Sequence, residues 1–299
     1  MTITRELNGH TVKLSSPDKL LYPDDGLTKE DIIDYYDRIA PTMLPYMRGR
    51  PLNMQRFPDG IDEPGFYQKE VPDYFPEWIR RADVEVLETG ELQPQVVCDD
   101  VATLVYLANQ ATITPHLWLS RAENLTHPDR LIFDLDPPDG RGEFDRVIHA
   151  AQQLRTILRD HGLPTFVMTT GSKGLHVLVP LDGTVDFDTS RDFARTIADR
   201  LAAQVPDEFT TETRINQRRG RVFLDYLRNA YGQTAVAPYA LRPLPGAPVA
   251  TPLEWSELSD PDIGPRRFHI GNIFRRLGQR SDPWDGLADQ AVNLTQIPI

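Results

Sequence analysis

The hexapeptide Leu131-Ile132-Phe133-Asp134-Leu135-Asp136, halted by Pro137-Pro138, sets the tightest limit on how this chain folds. A short apolar run bounded by prolines is a buried strand, because proline cannot continue a hydrogen-bonded ladder. Residues two apart on a strand share a face, so Asp134 and Asp136 project side by side where the strand ends. Carboxylates this close repel each other, and a hard divalent cation is the usual remedy. An EF-hand is excluded, since Pro138 takes the fifth loop position and Gly140 falls at the seventh rather than the sixth.

The following segments extend this strand into a pattern. Residues 144–161 have helical periodicity ending before Gly162; 165–169 and 175–180 read as strands, 192–203 as a second helix, and 221–226 as a further strand. Strand, helix, strand, strand, helix, strand is the split βαβ plan with an antiparallel sheet, an α+β fold. In the last strand Phe223 and Asp225 share a face opposite Val222, Leu224 and Tyr226. An acid within such a strand requires a partner, and the expected one is the same metal site. Earlier in the chain, Thr28 caps a helix over 29–40 with Asp31 three residues on, which places Lys29 at a helix N-terminus where free amides and partial positive charge favour anions.

Residues 101–120 carry no charge, close to a membrane-spanning length, yet Asn109, Gln110, Pro115 and His116 lie within them. That polarity predicts a buried helix followed by a turn, and no membrane association. The single cysteine, Cys98, permits neither an internal disulfide nor a cysteine zinc cluster, and the first ten residues do not read as a signal peptide; a cytoplasmic, nucleoid-associated protein is expected. The formal charge of -12 over 299 residues disfavours coating of nucleic acid by the whole surface, so such contact must come from a local basic patch.

Other segments carry weaker chemistry. Thr170-Gly171-Ser172-Lys173-Gly174-Leu175-His176 is a glycine-bracketed turn whose backbone amides, with Ser172, Lys173 and His176, fit a triphosphate, although its spacing is not that of a P-loop. Three guanidiniums, Arg218, Arg219 and Arg221, precede the Asp225 strand and suit a phosphate backbone. Phe66-Tyr67 offers a stacking platform for bases. Arg56, His116 and Arg242 are isolated signals.

Taken in order, Ser16-Pro17-Asp18-Lys19-Leu20-Leu21-Tyr22-Pro23, Gly49-Arg50-Pro51, Gly65-Phe66-Tyr67-Gln68-Lys69, Phe133-Asp134-Leu135-Asp136-Pro137, Gly171-Ser172-Lys173-Gly174-Leu175-His176, Phe223-Leu224-Asp225-Tyr226 and Ala237-Pro238-Tyr239-Ala240-Leu241-Arg242 resemble the polymerase domain of bacterial ligase D proteins, in the archaeo-eukaryotic primase superfamily. The resemblance covers about residues 10–280, expected to form a single domain. It implies a primase-polymerase fold: an N-terminal α/β module (about 10–125), an RRM-like catalytic module flanked by helices (about 126–245) and a C-terminal helical extension (about 250–299). It further implies a nucleotidyltransferase that adds NTPs or dNTPs to a primer 3′-hydroxyl at DNA ends and short gaps, in non-homologous end joining or gap-filling repair. Asp134, Asp136 and Asp225 then hold two Mn²⁺ or Mg²⁺ ions, and Ser172, Lys173, His176, His116, Arg242 and Arg56 bind the nucleotide. Lys19 and Lys29 match a downstream 5′-phosphate pocket, Phe66 and Tyr67 a template-stacking pair, and Arg218, Arg219 and Arg221 a primer-guiding loop.

Neither a ligase lysine motif nor a nuclease histidine cluster occurs in the sequence, so sealing is expected to need a separate ligase, with Ku, in trans. Two alternatives stand beside this expectation. One is a catalytically idle module that bridges DNA ends through Lys19, Lys29 and the aromatics. The other is a haloacid-dehalogenase-like phosphatase, disfavoured because those enzymes follow the aspartate pair with Gly-Thr where this chain has Pro137-Pro138.

Overall fold

The computed structural model describes residues 2–138 and 143–298; Gly140, used above to exclude an EF-hand, lies outside them. The chain divides into two compact units, each assembled from separated segments.

The first unit comprises Met1–Trp118, Thr234–Val249 and His269–Asn272. Strands β1 (Thr2–Leu7) and β2 (His10–Ser15) form one antiparallel hairpin, and β3 (Leu20–Tyr22) and β4 (Leu27–Thr28) another. Helix α1 (Lys29–Met47) carries the expected reciprocal cap: Asp31 N donates to Thr28 Oγ1 at 3.3 Å, and Thr28 N to Asp31 Oδ2 at 2.7 Å. It runs past Ala40 through Pro41 and Pro45, because Met43, Leu44 and Met47 continue its buried stripe. Then follow β5 (Pro51–Arg56), β6 (Phe66–Gln68), β7 (Arg81–Val86), β8 (Glu91–Val97), α2 (Val101–Asn109) and β9 (Thr112–Trp118). Thr234–Val236, β9, β5, β8 and β7 form one sheet in that order, with β6 paired to β5.

The uncharged stretch is therefore not a helix followed by a turn. Ala111, in the left-handed region at φ 57, ends α2, and the β-branched run Thr112-Ile113-Thr114 opens a buried strand. Among the described residues, no helix is long and apolar enough to cross a membrane.

The second unit comprises Leu119–Gln233, Ala250–Phe268 and Ile273–Ile299. Its elements are β10 (Ser120–Arg121), β11 (Asn124–Pro128), β12 (Arg130–Asp136), α3 (Phe144–Asp160), β13 (Phe166–Thr169), β14 (Leu175–Pro180), α4 (Phe187–Gln204), β15 (Phe209–Thr210) and β16 (Val222–Asp225). After Thr234–Val236, which is β17 in chain order, β18 (Thr251–Leu253) completes a sheet ordered β15-β16-β12-β14-β13-β18. Its inner order, β16-β12-β14-β13, is the antiparallel split βαβ arrangement, and the molecule is α+β as expected.

Strand alternation sorts the side chains of this sheet. Leu131, Phe133 and Leu135 of β12, with Val222 and Leu224 of β16, pack against Val147, Ala151 and Leu154 of α3 and Ala194, Ile197 and Leu201 of α4. Fully burying each of these larger side chains is worth about 1.5–3 kcal/mol. Asp134 and Asp136 are thereby turned to the face away from the two helices. The unit boundaries differ from the expected divisions near 125 and 245, since 234–249 cluster with the first unit. The region from 250 onward supplies edge strand β18 and, among its described residues, one five-residue α-helix (Ile273–Leu277), with short 3₁₀ turns.

Candidate active site

Register brings the three acids together in the second unit. In the β12–β16 ladder Asp134 lies directly opposite Asp225, and in the β12–β14 ladder it lies opposite His176. Directly paired residues share a face, so Asp134, Asp225, His176 and Asp136 form one row. Arg228, just past β16, places Nε 3.3 Å from Asp134 Oδ2 and 3.8 Å from Asp225 Oδ2. His176 Nε2 lies 3.5 Å from Asp134 Oδ1, and Lys173 Nζ lies 3.5 Å from Asp136 Oδ1.

The electrostatics follow from this crowding. Burial alone would raise the pKa of Asp134, but His176 and Arg228 outweigh it and hold the carboxyl below its ordinary value. Asp136 is raised, first by burial and then by the charge of Asp134, with Lys173 opposing. Asp225 is also raised, chiefly by burial, although Leu227 N donates to its Oδ1 at 2.8 Å. Burial would lower Arg228, yet the carboxylates of Asp134 and Asp225 reverse that and raise it.

Three carboxylates on a single face, two of them held toward protonation, suit a hard divalent cation. Among the described residues no three His, Cys, Asp or Glu groups already converge at ligand spacing, and Arg228 and Lys173 lie against the carboxylate oxygens of Asp134 and Asp136. The Nδ1 of His176 is buried with no hydrogen-bond partner among the described residues, and so can meet a polar group of a ligand bound here.

The 170–176 turn is built differently from the expected amide cradle. Ser172 N and Gly174 N both donate inward, to Thr170 Oγ1, at 3.4 and 3.2 Å. These two amides are therefore turned into the loop and not presented to an anion. Gly174 is required sterically, since a Cβ there would lie 2.1 Å from the Leu135 carbonyl oxygen. Arg266, not singled out from the sequence, donates to Ser172 O at 2.9 Å and braces the turn.

The three loop arginines separate in role. Arg218 lies over the ring of Phe223 at 3.8 Å and donates to the carbonyls of Glu212 and Thr213. Arg221 directs its guanidinium to the carbonyls of Arg218, Pro206 and Gln217, bracing the loop from within. Arg219 is exposed, with φ 51.

In the first unit the expected helix N-terminal anion site is altered. Lys29 N donates to Lys19 O at 2.8 Å, Glu30 N to Pro17 O at 3.0 Å and Asp31 N to Thr28 Oγ1, so the first amides of α1 are taken. What remains is side-chain charge. Lys29 is buried, its Nζ 3.2 Å from both Ser15 Oγ and Asn109 O, neither of them an anion. Burial, then the charge of Lys19, lowers its pKa. Lys19 itself pairs with exposed Asp59 at 2.7 Å.

Arg56, expected at the nucleotide, is held here by polar neighbours. Its Nε donates to Gln110 O at 2.8 Å, and its terminal nitrogens donate to Gln68 Oε1, Gln110 Oε1 and Tyr74 Oη. Phe66 lies opposite Arg56 in the β5–β6 ladder, with the guanidinium 5.6 Å from its ring centre. Tyr67, on the other face of the strand, meets His116 edge to face at 5.4 Å. Arg242 sits beside a buried tyrosine group: Tyr22 Oη donates to its carbonyl at 2.8 Å, and its charge opposes the upward shift that burial imposes on Tyr22 and Tyr36. Sequence reasoning did not single out Arg228, Thr170 or Tyr74. Thr170 was visible only as a hydroxyl opening a glycine turn.

A row of strand-borne carboxylates stands beside a lysine-bearing turn, on the face of a split βαβ sheet turned away from α3 and α4, an arrangement in keeping with the primase-polymerase class. The family model for the primase-polymerase domain of LigD matches residues 28–284, and the chain belongs to that family. It is 36% identical over 279 residues to the multifunctional non-homologous end joining DNA repair protein LigD of Mycobacterium tuberculosis, covering 91% of this chain and 36% of that protein. It is 30% identical over 274 residues to the bifunctional non-homologous end joining protein LigD of Bacillus subtilis, covering 91% of this chain and 43% of that one. The chain thus spans less than half the length of these relatives. Among solved structures, the polymerase domain of M. tuberculosis ligase D in complex with DNA superposes with a TM-score of 0.86 at 33% identity, over 94% of this chain and 99% of that one.

Proposed function

We propose that the chain extends a primer 3′-hydroxyl with NTPs or dNTPs at DNA ends or short gaps carrying a downstream 5′-phosphate, in end joining or gap-filling repair. The observation that carries this reading is the register pairing of Asp134 with Asp225, which sets three acids in a row beside Lys173. Asp134, Asp136 and Asp225 are the residues to hold two Mn²⁺ or Mg²⁺ ions. When bound, such ions make the attacking hydroxyl more acidic and neutralise the leaving pyrophosphate.

The side chains have separable tasks. Lys173 and Ser172 meet the triphosphate, and the buried Nδ1 of His176 gains the partner it lacks. Arg228 keeps the charge on Asp134 and Asp225 compensated between turnovers. In the first unit, Lys29 with Lys19 receives the 5′-phosphate: a buried ammonium whose hydrogen-bond partners Ser15 Oγ and Asn109 O are neutral, and which lies near a second ammonium, gains most from an anion. His116 and Arg242 contact the incoming nucleotide, Phe66 and Tyr67 stack on template bases, and Arg218 and Arg219 approach the primer strand. DNA and the nucleotide are the substrates, Ku and a separate ligase the partners in trans, and the nucleoid the place of action.

Primer extension on gapped DNA with a downstream 5′-phosphate tests this. Asp134→Ala/Asp136→Ala is expected to lose at least about 10²-fold in extension, while retaining preference for the 5′-phosphate. Wild-type protein that binds such DNA through the phosphate but extends nothing would instead establish an end-bridging module.

A further inference from the structure

Phe66 and Tyr67 are adjacent on an edge strand, so alternation sends them to opposite faces: Tyr67 toward His116, and Phe66 toward Arg56. The Phe66 face holds a third exposed aromatic. Tyr74 is 61% accessible, against 46% for Phe66 and 58% for Tyr67. It is not a loose side chain. Its hydroxyl accepts from Arg56 at 3.0 Å, and its ring meets buried Phe75 edge to face at 5.2 Å; Phe75 in turn packs on Tyr106 at 5.0 Å.

Arg56 therefore links the two rings of this face, lying 5.6 Å from the centre of Phe66 while holding Tyr74 by its hydroxyl. The guanidinium is itself fixed by Gln68 and Gln110, so the spacing is set by buried structure rather than by the aromatics. Two solvent-facing rings held on one face by a buried, fixed guanidinium match the π-face of a nucleobase, which stacks on aromatics.

We propose that Phe66, Arg56 and Tyr74 form a receptor for one unpaired nucleobase of the template strand, distinct from the Tyr67–His116 face. Tyr74 supplies the second stacking surface, and Arg56 is a positioning residue that sets the ring spacing. This deepens the reading of Phe66 and Tyr67 as template contacts and rests on it.

The test moves a single abasic nucleotide along the template of a gapped DNA and measures affinity for the full chain by fluorescence anisotropy. Wild-type protein is expected to lose about 10-fold in affinity when the missing base is the one received, the range of a single base–aromatic stack. Tyr74→Ala should show that loss on intact DNA and no further loss at that abasic position. Tyr74→Phe should bind within about 2-fold of wild type, because the ring and not the hydroxyl meets the base. Tyr74→Ala binding every template as wild type does, while Phe66→Ala and Tyr67→Ala weaken binding, overturns the receptor and leaves the template platform standing. If neither Phe66→Ala nor Tyr67→Ala alters binding, the platform fails and the receptor with it. Equal losses in Tyr74→Phe and Tyr74→Ala would show that Tyr74 acts only by holding Arg56, which also overturns the proposal. Matching thermal unfolding midpoints for these surface variants show that the differences arise in binding.

Discussion

At the scale of single residues, the second unit places Arg228 where it answers for two acids at once. Arg228→Gln leaves Asp134, nine-tenths buried, beside His176 and two further carboxylates without the guanidinium between them, and should destabilise the protein by about 1–3 kcal/mol. Part of that loss should be regained in Mn²⁺, which thermal unfolding with and without the ion measures. Lys29 gives a pH prediction of definite sign. Its folded pKa lies below its unfolded one, so the unfolded chain binds the extra proton between them, and the contribution of this group to stability rises with pH through that window. Binding runs the other way. The preference for a 5′-phosphate should decline as Lys29 deprotonates, at a lower pH than an ordinary lysine requires, and Lys29→Arg should move the decline upward. Titrating the affinity ratio of phosphorylated to unphosphorylated gapped DNA decides this.

At the scale of elements, much was written locally. Asp134, Asp136 and Asp225 were legible because strand alternation is a two-residue rule, and Pro137-Pro138 and Gly162 mark where elements stop. Thr28 with Asp31 announced α1 correctly, but not that Lys19 O and Pro17 O take its first amides, since those come from a turn that only the folded chain brings there. The 101–120 stretch was misread for a related reason: apolar runs do not distinguish buried helix from buried strand, and the break at Ala111 lies in a left-handed backbone conformation. Two substitutions test element-level claims. Gly174→Ala pushes a methyl into the Leu135 carbonyl and should cost about 3 kcal/mol, separating β14 from β12 next to the acids. Thr28→Ala removes one half of the α1 cap and should cost about 1 kcal/mol. Chemical denaturation measures both.

For the whole molecule, charge sets the behaviour toward DNA. With a net charge of -12, attraction to phosphates is confined to a few sites such as Lys19, Lys29 and Arg219. Affinity for gapped DNA should therefore fall with salt along a shallow log–log slope of about -2 to -3, as for two or three neutralised phosphates. Removing the 5′-phosphate should flatten it by about one, and a salt series in anisotropy reads both slopes. The unit boundaries were the least legible feature at this scale. Nothing local in Thr234–Val249 declares that it pairs with β9 rather than with the sheet of β16, since Val236 opposite His116 is a long-range choice.

That division has a consequence for inheritance and for engineering. The backbone passes between the units five times, at 118/119, 233/234, 249/250, 268/269 and 272/273. A single recombination point between two such genes cannot exchange one unit while keeping the other whole. Nor can a simple truncation yield either unit as an unbroken fragment: ending the chain at Gln233 strips the sheet around β5 of its edge strand, and it takes β18 from the sheet that carries the acids. The two units must therefore be inherited together, and a chimera that replaces one of them needs several matched junctions.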